Sequence, residues 1–139
     1  MKVPNLAYVV EDDRITAAIN KVIVKKDLRC QAVQTFVNGQ LAFDQLVAAA
    51  QAGQQLPDLI LLDLNMPIMD GWEFLDAFGT LPLAQQQVYV FILTSSINPE
   101  DIEKATHYQE VRGYFSKPLD KPNVQRMQSL LREVGDYNY

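Results

Sequence analysis

Two short, almost continuously apolar runs restrict the fold of this chain more than any other feature. They span 59–62 and 88–93 and read Leu-Ile-Leu-Leu and Val-Tyr-Val-Phe-Ile-Leu. A strand that is apolar at every position has both faces buried, which is typical of parallel sheets covered by helices on both sides. Three further runs, at 6–10, 30–36 and 113–116, complete a set of five predicted strands, with the third strand extending to 63.

Segments with helical spacing separate these runs. In the first, Ile15, Ile19, Val22 and Ile23 follow an i, i+4, i+7, i+8 pattern, which predicts that this stripe faces the core. The others are predicted to begin near Asn38, Gly71, Asn98 and Asp120. A (βα)5 alternation predicts an α/β fold. The expected form is flavodoxin-like, a doubly wound parallel five-stranded sheet with strand order 2-1-3-4-5.

Length and composition exclude several classes of protein. The chain has 139 residues, 48% of them apolar, and no apolar run approaches the roughly 18 residues of a membrane span. We expect a single domain over 1–139 with no output domain, no membrane contact and a cytoplasmic location. A lone cysteine, Cys30, permits no internal disulfide. The net charge of −5 argues against direct binding to nucleic acid.

Polar residues follow four of the five predicted strands, at the edge where ligands bind in such folds. They are Glu11-Asp12-Asp13, Asp63, Thr94-Ser95-Ser96 and Lys117-Pro118. Adjacent carboxylates repel each other and favour a bound cation, and Mg²⁺ prefers oxygen ligands. An aspartate can also attack phosphorus, while an ammonium and a hydroxyl neutralise the phosphoryl oxygens. Asp13 by itself is equally well explained as a helix cap.

These stretches resemble the receiver domain of two-component response regulators over essentially the whole chain. The matching segments are Tyr-Val-Val-Glu-Asp-Asp at 8–13, Leu-Ile-Leu-Leu-Asp-Leu-Asn-Met-Pro-Ile-Met-Asp-Gly at 59–71, Phe-Ile-Leu-Thr-Ser-Ser at 91–96 and Gly-Tyr-Phe-Ser-Lys-Pro at 113–118. The segment at 59–71 is the most specific of the four. The resemblance implies a stand-alone phosphoacceptor domain in a two-component system or phosphorelay.

The resemblance also implies a role for each site residue. Asp63 is the expected phosphorylation site, and Mg²⁺ is expected to bind Asp12, Asp63 and the backbone carbonyl of Asn65 directly, with Glu11 acting through water. The phosphoryl group is expected to contact Lys117, before a cis bond to Pro118, and Thr94, with the small Ser95 leaving access open. The expected switch pair is Thr94 and Tyr114, although a half-buried core aromatic would also explain Tyr114.

The expected partners are a histidine kinase or phosphotransfer protein and a downstream protein target, with the chain a monomer or weak dimer. Self-phosphotransfer and autodephosphorylation would not make it an enzyme. Two alternatives stay open: a magnesium-dependent phosphohydrolase with an aspartyl nucleophile, and an inactive docking receiver. Such hydrolases usually carry a second acid two residues after the nucleophile, where this chain has Asn65. A flavin-binding protein is disfavoured because Glu11-Asp12-Asp13 would repel a phosphate.

Overall fold

A computed structural model of the chain describes residues 2–82, 88–95 and 97–139. Ser96 therefore lies outside the described residues. The elements alternate strand and helix along the chain: β1 (Leu6–Val10), α1 (Arg14–Asp27), β2 (Ala32–Phe36), α2 (Gly39–Gln51), β3 (Leu59–Leu62), α3 (Gly71–Phe78), β4 (Tyr89–Thr94), α4 (Pro99–Ala105), β5 (Val111–Ser116) and α5 (Lys121–Gly135).

The five strands form one parallel sheet in the order β2-β1-β3-β4-β5. This confirms the predicted flavodoxin-like fold. Every residue of β1, β3 and β4 is buried, as expected for inner strands covered on both faces. One apolar layer contains side chains from α1 and α5, and the other contains side chains from α2, α3 and α4. No described helix combines the length and apolar character that crossing a membrane requires.

A polar side chain caps the start of each helix. Asp13, Asn38, Asp70, Asn98 and Asp120 each accept a hydrogen bond from a backbone N–H two or three residues further on. These bonds satisfy N–H groups that have no partner within the helix. The cap reading of Asp13 is therefore correct. The caps follow the strand ends closely and hold the connecting loops short.

The predicted core stripe of α1 is wrong. Ile15, Ile19 and Val22 are 73%, 55% and 64% exposed, and only Ile23 packs in part against the core. The buried positions of α1 are Ala17, Asn20 and Val24. Both sets have helical spacing, so periodicity alone could not separate the two faces. The small Ala17 side chain permits close approach to the sheet, and the larger isoleucines face outward.

The last residues fold back under the end of the sheet where the strands begin. After α5, Asp136 adopts a left-handed conformation (φ 56°) and turns the chain. The Tyr137 ring is buried edge-on against Tyr89, with centroids 6.2 Å apart. The backbone N–H of Asn138 donates to the Lys2 carbonyl at 2.8 Å. This tail is part of the core, although its sequence has no strand or helix pattern.

Candidate functional site

The carboxyl ends of the strands bring the predicted polar residues together. Backbone hydrogen bonds extend the sheet ladder past the strand ends and fix these residues in place. The N–H of Glu11 donates to Phe36 O at 2.8 Å, that of Asp63 to Val10 O at 3.0 Å, and that of Lys117 to Thr94 O at 2.7 Å. The backbone of each of these residues is therefore fixed, which suits a site that must hold charged side chains at set distances.

Three carboxylates lie at the centre of this edge. Glu11, Asp12 and Asp63 each place an oxygen within 4.8 Å of the others. Glu11 and Asp63 are only 2% and 5% exposed, whereas Asp12 is exposed. The pKa of Glu11 is raised to about 7, mainly by burial and in part by the charge of Asp63, against the lowering effect of the hydrogen bond from Lys117. The group is an all-oxygen donor set of the kind that hard divalent cations prefer.

The ammonium of Lys117 lies against two of these carboxylates. Its Nζ is 2.5 Å from Glu11 Oε1 and 3.3 Å from Asp63 Oδ2. Burial works to lower the pKa of Lys117, but the hydrogen bond to Glu11 and the charge of Asp63 outweigh burial and raise it. The Lys117–Pro118 peptide bond is cis. Lys117 is therefore a cation at neutral pH and can neutralise negative charge at Asp63.

The hydroxyl of Thr94 is buried without a protein partner. Thr94 ends β4, next to β3, and is 1% exposed. Its Oγ1 has no hydrogen bond among the described residues. A buried hydroxyl without a partner is costly in free energy, and such groups in native proteins call for an explanation such as a bound ligand. The following residue, Ser95, is exposed.

The Tyr114 side chain lies half-buried behind this edge. Its ring packs against the apolar layer that contains α4. Burial raises its pKa, the charge of Asp101 adds to the effect, and a hydrogen bond from the backbone of Asn98 opposes it. Tyr114 is thus in contact with the start of α4, and a rotation of its ring would alter the surface of α4 and β5.

The loop after β3 is tightly packed against Asp63. Asn65 donates its backbone N–H to Asp63 Oδ1 at 3.4 Å, while its side chain is exposed. At Gly71 a Cβ atom would lie 2.6 Å from the backbone oxygen of Asp63, so only glycine fits. The loop therefore holds the Asn65 backbone beside the carboxylate.

One polar residue of the site was not predicted. Asn20 on α1 is only 4% exposed, and it lines a small void together with Glu11 and Asp63. It also lines a crevice of about 180 Å³ that includes Lys117 and Pro118. Strand-end reasoning could not find it, because it comes from a helix. The sequence does contain one indication, since Asn20 is a polar residue on the same helix face as the apolar Ala17 and Val24.

An acidic cluster and a paired lysine lie at the central edge of a doubly wound sheet, an arrangement that is typical of receiver domains. This chain belongs to the response regulator receiver domain family, whose model matches residues 7–128. The match covers β2 to β5, all of β1 except its first residue, and about half of α5. The family predicted from the sequence is therefore confirmed.

Individual relatives agree with this membership. A two-component response regulator from Cytophaga hutchinsonii has a similar structure, with a TM-score of 0.82 and 28% identity, over 94% of this chain and 99% of that one. The phosphorylated cyanobacterial phytochrome response regulator RcpA gives a TM-score of 0.74 and 27% identity, over 92% and 91%. A protein-glutamate methylesterase/protein-glutamine glutaminase from Rhodopseudomonas palustris is 31% identical over 91% of this chain. The chain spans about a third (31%) of that relative's length.

Proposed function

We propose that this receiver domain accepts a phosphoryl group on Asp63 and signals through the resulting change in its protein contacts. One observation carries the proposal. The buried Asp63 carboxylate lies in an acidic cluster, beside the Lys117 ammonium and next to the strand that ends in the unpartnered Thr94 hydroxyl. Nucleophile, cation and hydroxyl donor are the groups that phosphoryl transfer to an aspartate needs.

The donor set fits Mg²⁺. Glu11, Asp12 and Asp63 supply closely spaced carboxylate oxygens, and the backbone of Asn65 lies beside them. We infer that these residues hold the cation, with the carbonyl of Asn65 as a further ligand. When bound, Mg²⁺ would neutralise negative charge on the phosphoryl oxygens. The repulsion between the two buried carboxylates, which adds to the effect of burial on the pKa of Glu11, would also be relieved.

The transfer itself requires little of the protein beyond positioning. A carboxylate oxygen of Asp63 forms a bond to phosphorus as the bond from phosphorus to the donor imidazole nitrogen breaks, and the imidazole takes up a proton from solvent. Lys117 then exchanges its contact with Glu11 for a phosphoryl oxygen. Hydrolysis of the acyl phosphate by water returns phosphate and the Asp63 carboxylate.

The phosphoryl group gives the Thr94 hydroxyl the acceptor that it lacks. Movement of Thr94 toward that oxygen would free space behind it, which the ring of Tyr114 can enter. Because Tyr114 contacts the backbone of Asn98 at the start of α4, the change would reach the surface formed by α4, β5 and α5. A downstream protein would read the state there.

A protein donor is supported by the outward face of α1. Its exposed residues Ile15, Ile19 and Val22 form an apolar stripe, and Ile19 lines the same crevice as Lys117. Exposed apolar stripes of this kind often mark protein contacts. We therefore place a histidine kinase or phosphotransfer protein on this face, beside Asp63. Asn65 is an amide and cannot serve as the general acid and base of a phosphohydrolase, so multiple turnover is not expected.

The direct test is intact mass after incubation with acetyl phosphate or a phosphoramidate, with and without Mg²⁺. We expect a gain of one phosphoryl group only when Mg²⁺ is present. Phosphate release in large excess over protein would favour the hydrolase alternative instead. A mass that stays unchanged with small donors and with purified kinases would favour the docking-only alternative.

Mg²⁺ affinity should rise with pH across neutrality. Below pH 7 Glu11 is largely protonated and neutral, and above pH 7 it is an anion, because its pKa is raised to about 7. Between pH 6 and pH 8 its anionic fraction rises from about a tenth to about nine tenths, so affinity should increase up to about tenfold. Titration of the fluorescence of Trp72, the one tryptophan, at each pH measures this. Glu11→Gln should remove the dependence; its persistence in that variant would contradict the assignment.

A further inference from the structure

Asn20 occupies a position where the rest of the environment favours an apolar side chain. It lies on the buried face of α1 between Ala17 and Val24, and it is 4% exposed. The void below it is lined otherwise by the carboxylates of Glu11 and Asp63 and by apolar side chains, namely Val9, Val10, Leu61 and Leu93. That void is too small for a water molecule. A carboxamide here lowers stability unless it has a partner.

The partner is not another protein group in this state. Among residues 2–82, 88–95 and 97–139, no side chain or backbone group hydrogen-bonds the carboxamide of Asn20. Asn20 lies where the small void meets the crevice of about 180 Å³ that also contains Lys117. The crevice is large enough to hold water. Asn20 is thus a largely buried residue whose carboxamide is not fully enclosed and borders the crevice at the back of the reactive edge.

Within the described part of the chain, the ammonium of Lys117 has more N–H donors than hydrogen-bond partners. An ammonium carries three N–H donors, and those of Lys117 have two partners within the described part of the chain, Glu11 and Asp63. Both partners are carboxylates, and neither of them lies on α1. When Lys117 turns from Glu11 toward a phosphoryl group, the contact at 2.5 Å is lost and the ammonium has fewer fixed partners. A neutral acceptor on the α1 side would keep it in place.

We propose that Asn20 is a positioning residue for Lys117, with its carboxamide oxygen accepting the third ammonium N–H directly or through one water molecule in the crevice. This inference rests on the proposed function, since the role of Lys117 is to contact the phosphoryl group. Asn20 would act on the reaction through Lys117, with which it shares the crevice. Its carboxamide would restrict where the ammonium can go.

The test compares the rate of phosphorylation by a phosphoramidate in wild type and Asn20→Leu, with Mg²⁺ present. Leucine has a similar branched shape and suits the apolar surroundings, so the melting temperature should stay the same or rise. The rate should nevertheless fall by about tenfold or more, as for loss of a hydrogen bond to a charged group. Asn20→Ala removes the carboxamide without adding volume and should show the same loss of rate.

Two controls separate positioning from packing. Thr16→Val removes another polar group from the same crevice and should leave the rate within about twofold of wild type. In a Lys117→Ala background, Asn20→Leu should have no further effect on the rate, because the two residues act through one contact. Equal rates for wild type, Asn20→Leu and Asn20→Ala would overturn the inference, and so would fully additive losses in the double variant.

A readout without phosphoryl transfer keeps this inference separate from the proposed function. The ¹⁵N ζ-ammonium resonance of Lys117 should shift in Asn20→Leu and stay in place in Thr16→Val. A wild-type chain that gains no phosphoryl group would contradict the proposed function, yet this shift would still support the contact. An unchanged Lys117 resonance in Asn20→Leu would overturn the contact itself.

Discussion

Asp63→Asn should abolish phosphorylation by small donors while leaving the protein folded. The substitution removes the carboxylate of the acidic cluster that directly follows β3 and lies 3.3 Å from the Lys117 ammonium. An amide is a very poor nucleophile toward phosphorus, so the phosphorylated fraction should fall below about one per cent of wild type. Intact mass after incubation with acetyl phosphate and Mg²⁺ measures this directly.

The stability of the same variant is informative. Asp63 adds to the raised pKa of Glu11, which shows that the two buried carboxylates repel each other. Removal of one charge should therefore leave the melting temperature unchanged or raise it. Asp44→Asn on the exposed face of α2 is the matched control, since Asp44 hydrogen-bonds Gln40 on its own helix, and should retain full phosphorylation. A phosphoryl gain in Asp63→Asn equal to that of wild type would place the acceptor elsewhere.

Tyr137→Ala should destabilise the fold by about 3–5 kcal/mol, comparable to the loss of a buried core aromatic. The Tyr137 ring is 5% exposed, packs against Tyr89, and lies under the Lys2 ammonium at 4.6 Å from its centroid. A cavity would replace it at the end of the sheet where the strands begin. For a chain of this size the melting temperature should drop by about 10–17 °C. Urea unfolding followed by circular dichroism gives the free energy.

Thiol labelling offers a second measurement of the same effect. Cys30 is 1% exposed, and burial raises its pKa to about 11, so it should react very slowly in the native protein. Tyr137→Ala should increase the labelling rate, because opening of the tail would expose this region more often. Tyr137→Phe keeps the ring and should stay within about 1 kcal/mol of wild type. A free energy of unfolding unchanged in Tyr137→Ala would show that the tail does not belong to the core.

The tail and the acidic edge lie at opposite ends of the sheet. The strands begin near Lys2 and Leu28, where the Tyr139 hydroxyl donates to Leu28 O at 2.7 Å, and they end at the carboxylates. Variants of the tail should therefore change stability with little effect on the rate of phosphorylation. Variants at Asp63 should change the rate of phosphorylation with little loss of stability. The two predictions together test whether residues at one end of the sheet determine stability while residues at the other end determine the rate of phosphorylation.

The order of strands and the composition of the acidic edge were determined by the sequence itself. Buried parallel strands need apolar residues on both faces, so 59–62 and 88–93 marked the centre of the sheet. Parallel strands end at one common edge, so polar residues just after several strands had to meet there. The sequence therefore predicts that Glu11, Asp63 and Lys117 lie close together, as they do in the structure.

Only the tertiary structure decided which side of each irregular or helical segment is buried. Two faces of α1 have helical spacing, and packing against the sheet selected Ala17, Asn20 and Val24 over the more apolar isoleucine stripe. The burial of Tyr137 likewise depends on Tyr89 at the start of β4 and on Gly135 at the end of α5, which no local pattern brings together. Periodicity reports where apolar residues repeat along a segment, whereas burial depends on the shape of the surface that the rest of the chain presents.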